Sequence, residues 1–266
     1  MRRVTAAAPA GAVVSGPADG APAHPVARAC SAAGEVALRR RGRVLELVLD
    51  GRFAMDTVDT STEVALAAAA LEVCADPSRV LVGGLGLGFT ARAVLADRRV
   101  GRVDVVELAE PLVAWARAGL VPELADLEGG GRCRLAVADV ADVLAGTAAP
   151  GSPAGPWDLV LLDVDNGPGF LLREANADLY AVPGLERAAA RLAPGGVLAA
   201  WSSDLAPDLL AGLREVAGRR GGAVAERRLP VAREGRLLDY ALYLLLPAPA
   251  PSPAGPRRTP GPRRPA

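Results

Sequence analysis

Apolar residues in this chain fall into short runs whose period changes along its length. Residues 79–83 read Arg-Val-Leu-Val-Gly and residues 102–107 read Arg-Val-Asp-Val-Val-Glu, nearly continuous apolar runs closed by a glycine and by an acid. Runs of this length, bounded by turn residues, predict strands buried on both faces. Three more follow at 133–139, 157–163 and 197–201. The intervals carry helical composition over 91–97, 110–118, a short piece through Leu144, 176–192 and 207–219. Pro111 falls at a first-turn position, where its missing N–H costs nothing. Alternation of this kind predicts an α/β fold, a doubly wound Rossmann-like sheet of five parallel strands. Strands over 223–231 and 236–246, joined at Glu234-Gly235, finish it as an antiparallel pair.

Ahead of residue 61 the pattern differs. Apolar and polar positions over 34–55 are broken by Arg41-Gly42 and Asp50-Gly51, two hairpin signals, so residues 34–60 predict a small N-terminal antiparallel β-hairpin module. Ser61 or Thr62 can cap a helix through residues 63–74, and Asp76-Pro77 stops it. Residues 1–33 are rich in Ala, Pro and Gly without periodicity, and residues 247–266 are rich in Pro and Arg. Both are expected to be disordered tails, leaving 61–246 as the Rossmann-like domain.

Charge narrows the function classes. Thirty basic residues, all arginine, balance thirty acidic ones. Without a basic surplus a nucleic-acid partner is not expected. No run of about 18 apolar residues occurs, so no membrane span is expected. The amino terminus lacks the compact apolar run of a signal peptide, and the cytoplasm is the expected compartment. Cys30, Cys74 and Cys133 are odd in number and have no metal-ligand spacing, so no metal is expected. The one histidine, His24, falls in the tail, which argues against histidine-based catalysis.

Candidate chemistry collects after the strands. Gly84, Gly86 and Gly88 follow the first parallel strand and open a helix, letting main-chain N–H groups approach a ligand. No Gly-Lys-Ser/Thr follows, so this is not a phosphate loop. Glu107 closes the next strand about 20 residues on, where an acid commonly accepts from both ribose hydroxyls. Asp139 closes the third strand, and Asp163-Val164-Asp165-Asn166 leaves the fourth. In an open α/β sheet all of these project at one edge, the carboxyl ends of the strands.

With these motifs the chain resembles the polyamine aminopropyltransferase (spermidine synthase) family, whose fold is similar to that of class I S-adenosylmethionine-dependent methyltransferases. The resemblance covers residues 42–246. It rests on Leu49-Asp50-Gly51, Glu63, the glycine turn, Val106-Glu107, Ala138-Asp139, Leu162-Asp163, Leu179-Tyr180 and Pro194-Gly195-Gly196. It implies a co-substrate, decarboxylated S-adenosylmethionine, with Glu107 on the ribose, Asp139 on the adenine amino group and Asp163 beside the sulfonium or the acceptor amine. It implies a small-molecule amine as acceptor, and a homodimer contact through the N-terminal hairpins.

Departures from the family's pattern fall on the amine side. Leu87 stands where the glycine turn has an acid for the aminopropyl ammonium. Asn166 and Gly167 stand for the second Asp and the Pro of the Asp-Ser-Ser/Thr-Asp-Pro loop, and Ser61 stands for a tyrosine. An amide is no general base, so Asp165 becomes the alternative, with Tyr180 either orienting the acceptor or packing in the core. The sequence is also compatible in outline with two other readings: a methyltransferase using S-adenosylmethionine itself, favoured by Leu87, and a non-catalytic nucleoside-binding homologue.

Overall fold

The structure is a computed structural model that describes residues 22–233 and 236–249. The remainder of the two expected tails, 1–21 and 250–266, lies outside the described residues, as does the Glu234-Gly235 link.

Four antiparallel strands come first: β1 (His24–Ser31), β2 (Gly34–Arg41), β3 (Val44–Leu49) and β4 (Arg52–Asp56), paired in that order. Asp50 and Gly51 both have positive φ, 47° and 74°, the backbone a two-residue hairpin turn needs. The β1 strand corrects the expected tail boundary, because composition places residues 24–31 in the disordered segment. A backbone ladder running from His24 opposite Arg40 to Ser31 opposite Gly34 holds this strand, and Val26 and Ala27 pack on the core. Main-chain pairing leaves little mark on side-chain periodicity.

Helix α1 (Ser61–Val73) then leads to the large sheet. Its elements are β5 (Arg79–Gly83), α2 (Phe89–Ala96), β6 (Arg102–Glu107), α3 (Glu110–Arg117), β7 (Cys133–Val137), α4 (Val140–Ala145), β8 (Trp157–Leu162), α5 (Ala177–Tyr180), α6 (Val182–Ala190), β9 (Leu192–Ser202), α7 (Pro207–Arg220), β10 (Ala223–Arg233) and β11 (Arg236–Leu246). Spatial order is β10-β11-β9-β8-β5-β6-β7. Strands β9 to β7 in that row are mutually parallel, and β11 is antiparallel to both its neighbours. Strand order therefore reverses between β5 and β8, the place where open α/β sheets bind ligands.

Alternate residues of the central strands feed two cores. Val80, Val82, Leu159 and Leu161 face the layer containing Leu66 of α1, whereas Leu81, Val160 and Leu162 face the layer containing Leu185 and Leu213. Burial on both faces is why these strands read as unbroken apolar runs.

Two elements depart from expectation. The single helix expected over 176–192 is split at Ala181, which is extended (ψ 155°). Pro183 has no N–H to give the carbonyl four residues back and starts α6 afresh, with Pro in its first turn. Strand β9 begins at Leu192 rather than 197, and its pairing with β8 slips between Trp157 and Leu159. Gly195, at φ 82°, lies within the slipped segment. No described helix is long and apolar enough to cross a membrane.

Candidate active site

The turn after β5 is built from left-handed glycines: Gly84, Gly86 and Gly88 have φ of 95°, 50° and 84°. Gly84 donates its N–H to the Val106 carbonyl at 2.8 Å, which ties the turn to β6. A Cβ on Gly86 would stand 2.7 Å from Met55 Sδ, so the β4 methionine lies directly over the turn. Gly88 caps α2.

Glu107, half-buried at the end of β6, is gripped by main chain on both sides. Oε2 accepts the Leu85 N–H at 2.9 Å and Oε1 accepts the Ala109 N–H at 2.8 Å. Burial pushes its carboxyl above the ordinary glutamate value, and these N–H groups oppose the shift. Asp139 caps α4, with Oδ1 accepting the Ala141 N–H at 2.9 Å, and its Oδ2 faces Arg173 Nη1 at 3.4 Å. Sequence reasoning missed Arg173: it sits in the loop after β8, where no periodic pattern or motif marks it.

The segment leaving β8 divides its labour. Asp163 Oδ2 accepts the hydroxyl of buried Thr90 at 2.6 Å. Burial and, next, the charge of Glu63 push the Asp163 carboxyl up to about 7, against the pull of Thr90. Asp165 adopts φ 57° and accepts the Asn176 side-chain amide at 2.8 Å. Its carboxyl is also raised by burial, opposed by Asn176 and by the Arg173 and Leu172 N–H groups, so it braces the following loop. The Asn166 carbonyl accepts from the Ser203 N–H at 3.0 Å and the Ser203 hydroxyl at 2.7 Å.

Tyr180, expected either to orient an acceptor or to pack in the core, takes the second place. It is buried, its hydroxyl donates to the Val164 carbonyl at 2.6 Å, and burial raises its phenol. It lines neither of the cavities described next. The helix break at Ala181 leaves α5 a single turn tucked behind the loop, and that turn carries Tyr180.

Two adjoining cavities open at the carboxyl ends of the strands. The first is bounded by the glycine turn, Glu107, Asp139, Asp163, Asp165 and Arg173. The second, of about 450 Å³, lies under β2–β4 and the β10–β11 pair and is walled by Arg39, Arg41, Glu46, Asp56, Asp59 and Tyr240. Ala54, Met55, Glu63, Asn166 and Trp201 line both and form the partition. Trp201 stacks on Tyr240 with ring centroids 5.6 Å apart. Glu46, only 2% exposed, is clamped by Arg39 at 2.6 Å and Arg41 at 2.5 Å. Leu87 is fully buried and lines neither cavity. Among the described residues no group of three His, Cys, Asp or Glu side chains is placed to hold a metal.

Carboxylates at the ends of β6 and β7 beside a tight glycine turn, at the point where strand order reverses, mark a candidate ligand site in a methyltransferase-like α/β fold. Comparisons with known proteins point the same way. The chain is 33% identical over 172 residues to polyamine aminopropyltransferases of Mycobacterium tuberculosis (strain H37Rv) and Mycobacterium bovis, a match covering 63% of this chain and 31% of each relative. It thus spans about a third of the length of the curated relatives it matches. Among solved structures it is similar to a spermidine synthase in complex with the transition-state analogue AdoDATO, with a TM-score of 0.67, 16% identity and coverage of 84% of this chain and 73% of that one. It is similar also to the spermidine synthase of Thermotoga maritima, with a TM-score of 0.66, 15% identity and coverage of 83% and 72%. No family model matches the chain. The fold is that of spermidine synthases, with its methyltransferase-like sheet and separate N-terminal antiparallel sheet.

Proposed function

We propose that this chain transfers the aminopropyl group of decarboxylated S-adenosylmethionine to a small-molecule amine. The observation that carries the reading is the pair of cavities meeting at a partition of side chains, the first lined by Glu107 and Asp139, which can receive a nucleoside, and the second by carboxylates, which can receive an amine. Glu107 has two main-chain donors already, yet an ionised carboxylate offers about four acceptor directions, so both ribose hydroxyls can still be received. Asp139, fixed by its cap and by Arg173, accepts the adenine amino group. Asp163, where the partition meets the glycine turn, faces the sulfonium end.

Displacement at a sulfonium attacks a carbon that is already activated, so position and an unprotonated nucleophile are the main requirements. The deciding experiment is calorimetric titration of the protein with decarboxylated S-adenosylmethionine, methylthioadenosine, S-adenosylmethionine and S-adenosylhomocysteine, followed by product analysis with putrescine. Tighter binding of the first pair, with aminopropyl transfer, supports the reading; no binding of any of the four overturns it. One observation favours a methyltransferase as second reading. Leu87, wholly buried, supplies no carboxylate for the donor's ammonium, and preference for the second pair of nucleosides would select that alternative.

A further inference from the structure

An in-line displacement between two cavities must pass through the wall they share. Of the five residues in that wall, Ala54, Met55 and Trp201 carry no proton-accepting group, and the Asn166 amide is no base at neutral pH. Among the described residues, Glu63 is the one ionisable residue that lines both cavities. The other carboxylates of the second cavity, Glu46, Asp56 and Asp59, line that cavity alone. Glu46 is held by two arginines, Asp56 accepts the Val58 N–H at 2.9 Å, and Asp59 accepts the Ser61 N–H at 2.9 Å. Asp163 and Asp165 face the first cavity alone, and Asp165 is tied down by Asn176.

Building on the proposed transfer to an amine, we infer that Glu63 is the catalytic residue that receives the acceptor's ammonium and takes its proton. The Thr62 hydroxyl donates to Glu63 Oε2 at 2.7 Å and sets the carboxylate at the first turn of α1. The step balances. The ammonium gives one proton to Glu63, and the freed electron pair forms the N–C bond to the donor's methylene carbon. The C–S bond breaks with its pair going to sulfur, leaving a neutral thioether nucleoside, a secondary ammonium and a protonated Glu63 that loses its proton through the second cavity. Raising of the Asp163 carboxyl by the Glu63 charge agrees with the two groups converging on one point.

The test compares the wild-type chain with Glu63→Gln and Glu63→Asp, using decarboxylated S-adenosylmethionine and putrescine. Loss of a proton acceptor is expected to lower kcat by about 100-fold or more in Glu63→Gln, with partial recovery in Glu63→Asp. Thermal melting midpoints of both variants should stay at the wild-type value, which excludes misfolding as the cause. Wild-type kcat in Glu63→Gln overturns the inference. Putrescine binding to the protein–methylthioadenosine complex reads Glu63 without turnover: a loss of about tenfold or more in Glu63→Gln supports it as the ammonium's receiver, and equal affinity overturns that role. If the wild-type chain binds none of the nucleosides, the parent reading fails and the inference falls with it. If it binds them and transfers nothing to any amine, the putrescine titration decides Glu63 alone.

Discussion

Gly84 packs against the main chain of Asp163 so closely that a methyl group on its Cα would stand 2.1 Å from the Asp163 carbonyl oxygen. The turn after β5 and the segment after β8 are thus in direct backbone contact across the point where strand order reverses. Gly84→Ala adds both this overlap and the strain of φ 95°. It is expected to cost at least about 2 kcal/mol, lowering the unfolding midpoint by roughly 4–8 °C in a thermal melt, and to weaken methylthioadenosine binding in the same preparation.

Asp163 gives the protein a pH signature. Its carboxyl titrates at about 7 in the folded chain against an ordinary value of 3.8, so from about 4 to 7 the folded state holds a proton that the unfolded state has released. By linkage, stability then falls as pH rises through that window, is highest below it and is flat above it as far as this group is concerned. Asp163→Asn removes the titration. Plotting the melting-temperature difference, wild type minus Asp163→Asn, against pH should give a line descending between pH 4 and 7; a level line rejects the burial argument.

Glu107 presents a charged acceptor that an amide cannot duplicate. Glu107→Gln turns an N–H donor toward the Leu85 or Ala109 N–H and halves the acceptor capacity. With charge-assisted hydrogen bonds contributing about 1.5–3 kcal/mol, the nucleoside dissociation constant should rise about 10- to 150-fold. Calorimetry with methylthioadenosine measures it directly.

Tyr180 holds the Val164 carbonyl from behind the loop. Tyr180→Phe leaves that oxygen without its donor, a loss of about 1–2 kcal/mol visible in denaturant titration. Because Tyr180 lines neither cavity, the Michaelis constant for the amine should stay at its wild-type value; an acceptor-orienting tyrosine would raise it several-fold.

Legibility of this molecule in its sequence follows the range of the forces involved. The parallel strands, the glycine turn and the acids closing β6 and β7 announce themselves because burial on both faces and left-handed backbone each demand particular residue types. Strand β1 leaves little mark in the sequence because much of what holds it is main-chain pairing with β2, with only Val26 and Ala27 reaching the core. The break at Ala181 is hidden in a run of helical composition over 176–192, where Pro183 restarts the helix. Arg173, which faces Asp139 across 34 residues of chain, and the Arg39–Glu46–Arg41 clamp depend on where loops and strands come together. Nothing in the sequence around Asp165, the expected alternative base, marks its partner in space, Asn176.

The two cavities share five lining residues among those described, so under the proposed reaction a molecule seated in the first and one seated in the second bear on the same wall. Each ligand then completes the other's binding surface. Any gain in amine affinity produced by the nucleoside must be matched by an equal gain in nucleoside affinity produced by the amine. Under the proposed reaction, the partition of Ala54, Met55, Glu63, Asn166 and Trp201 is therefore also where cooperativity between the two ligands would arise.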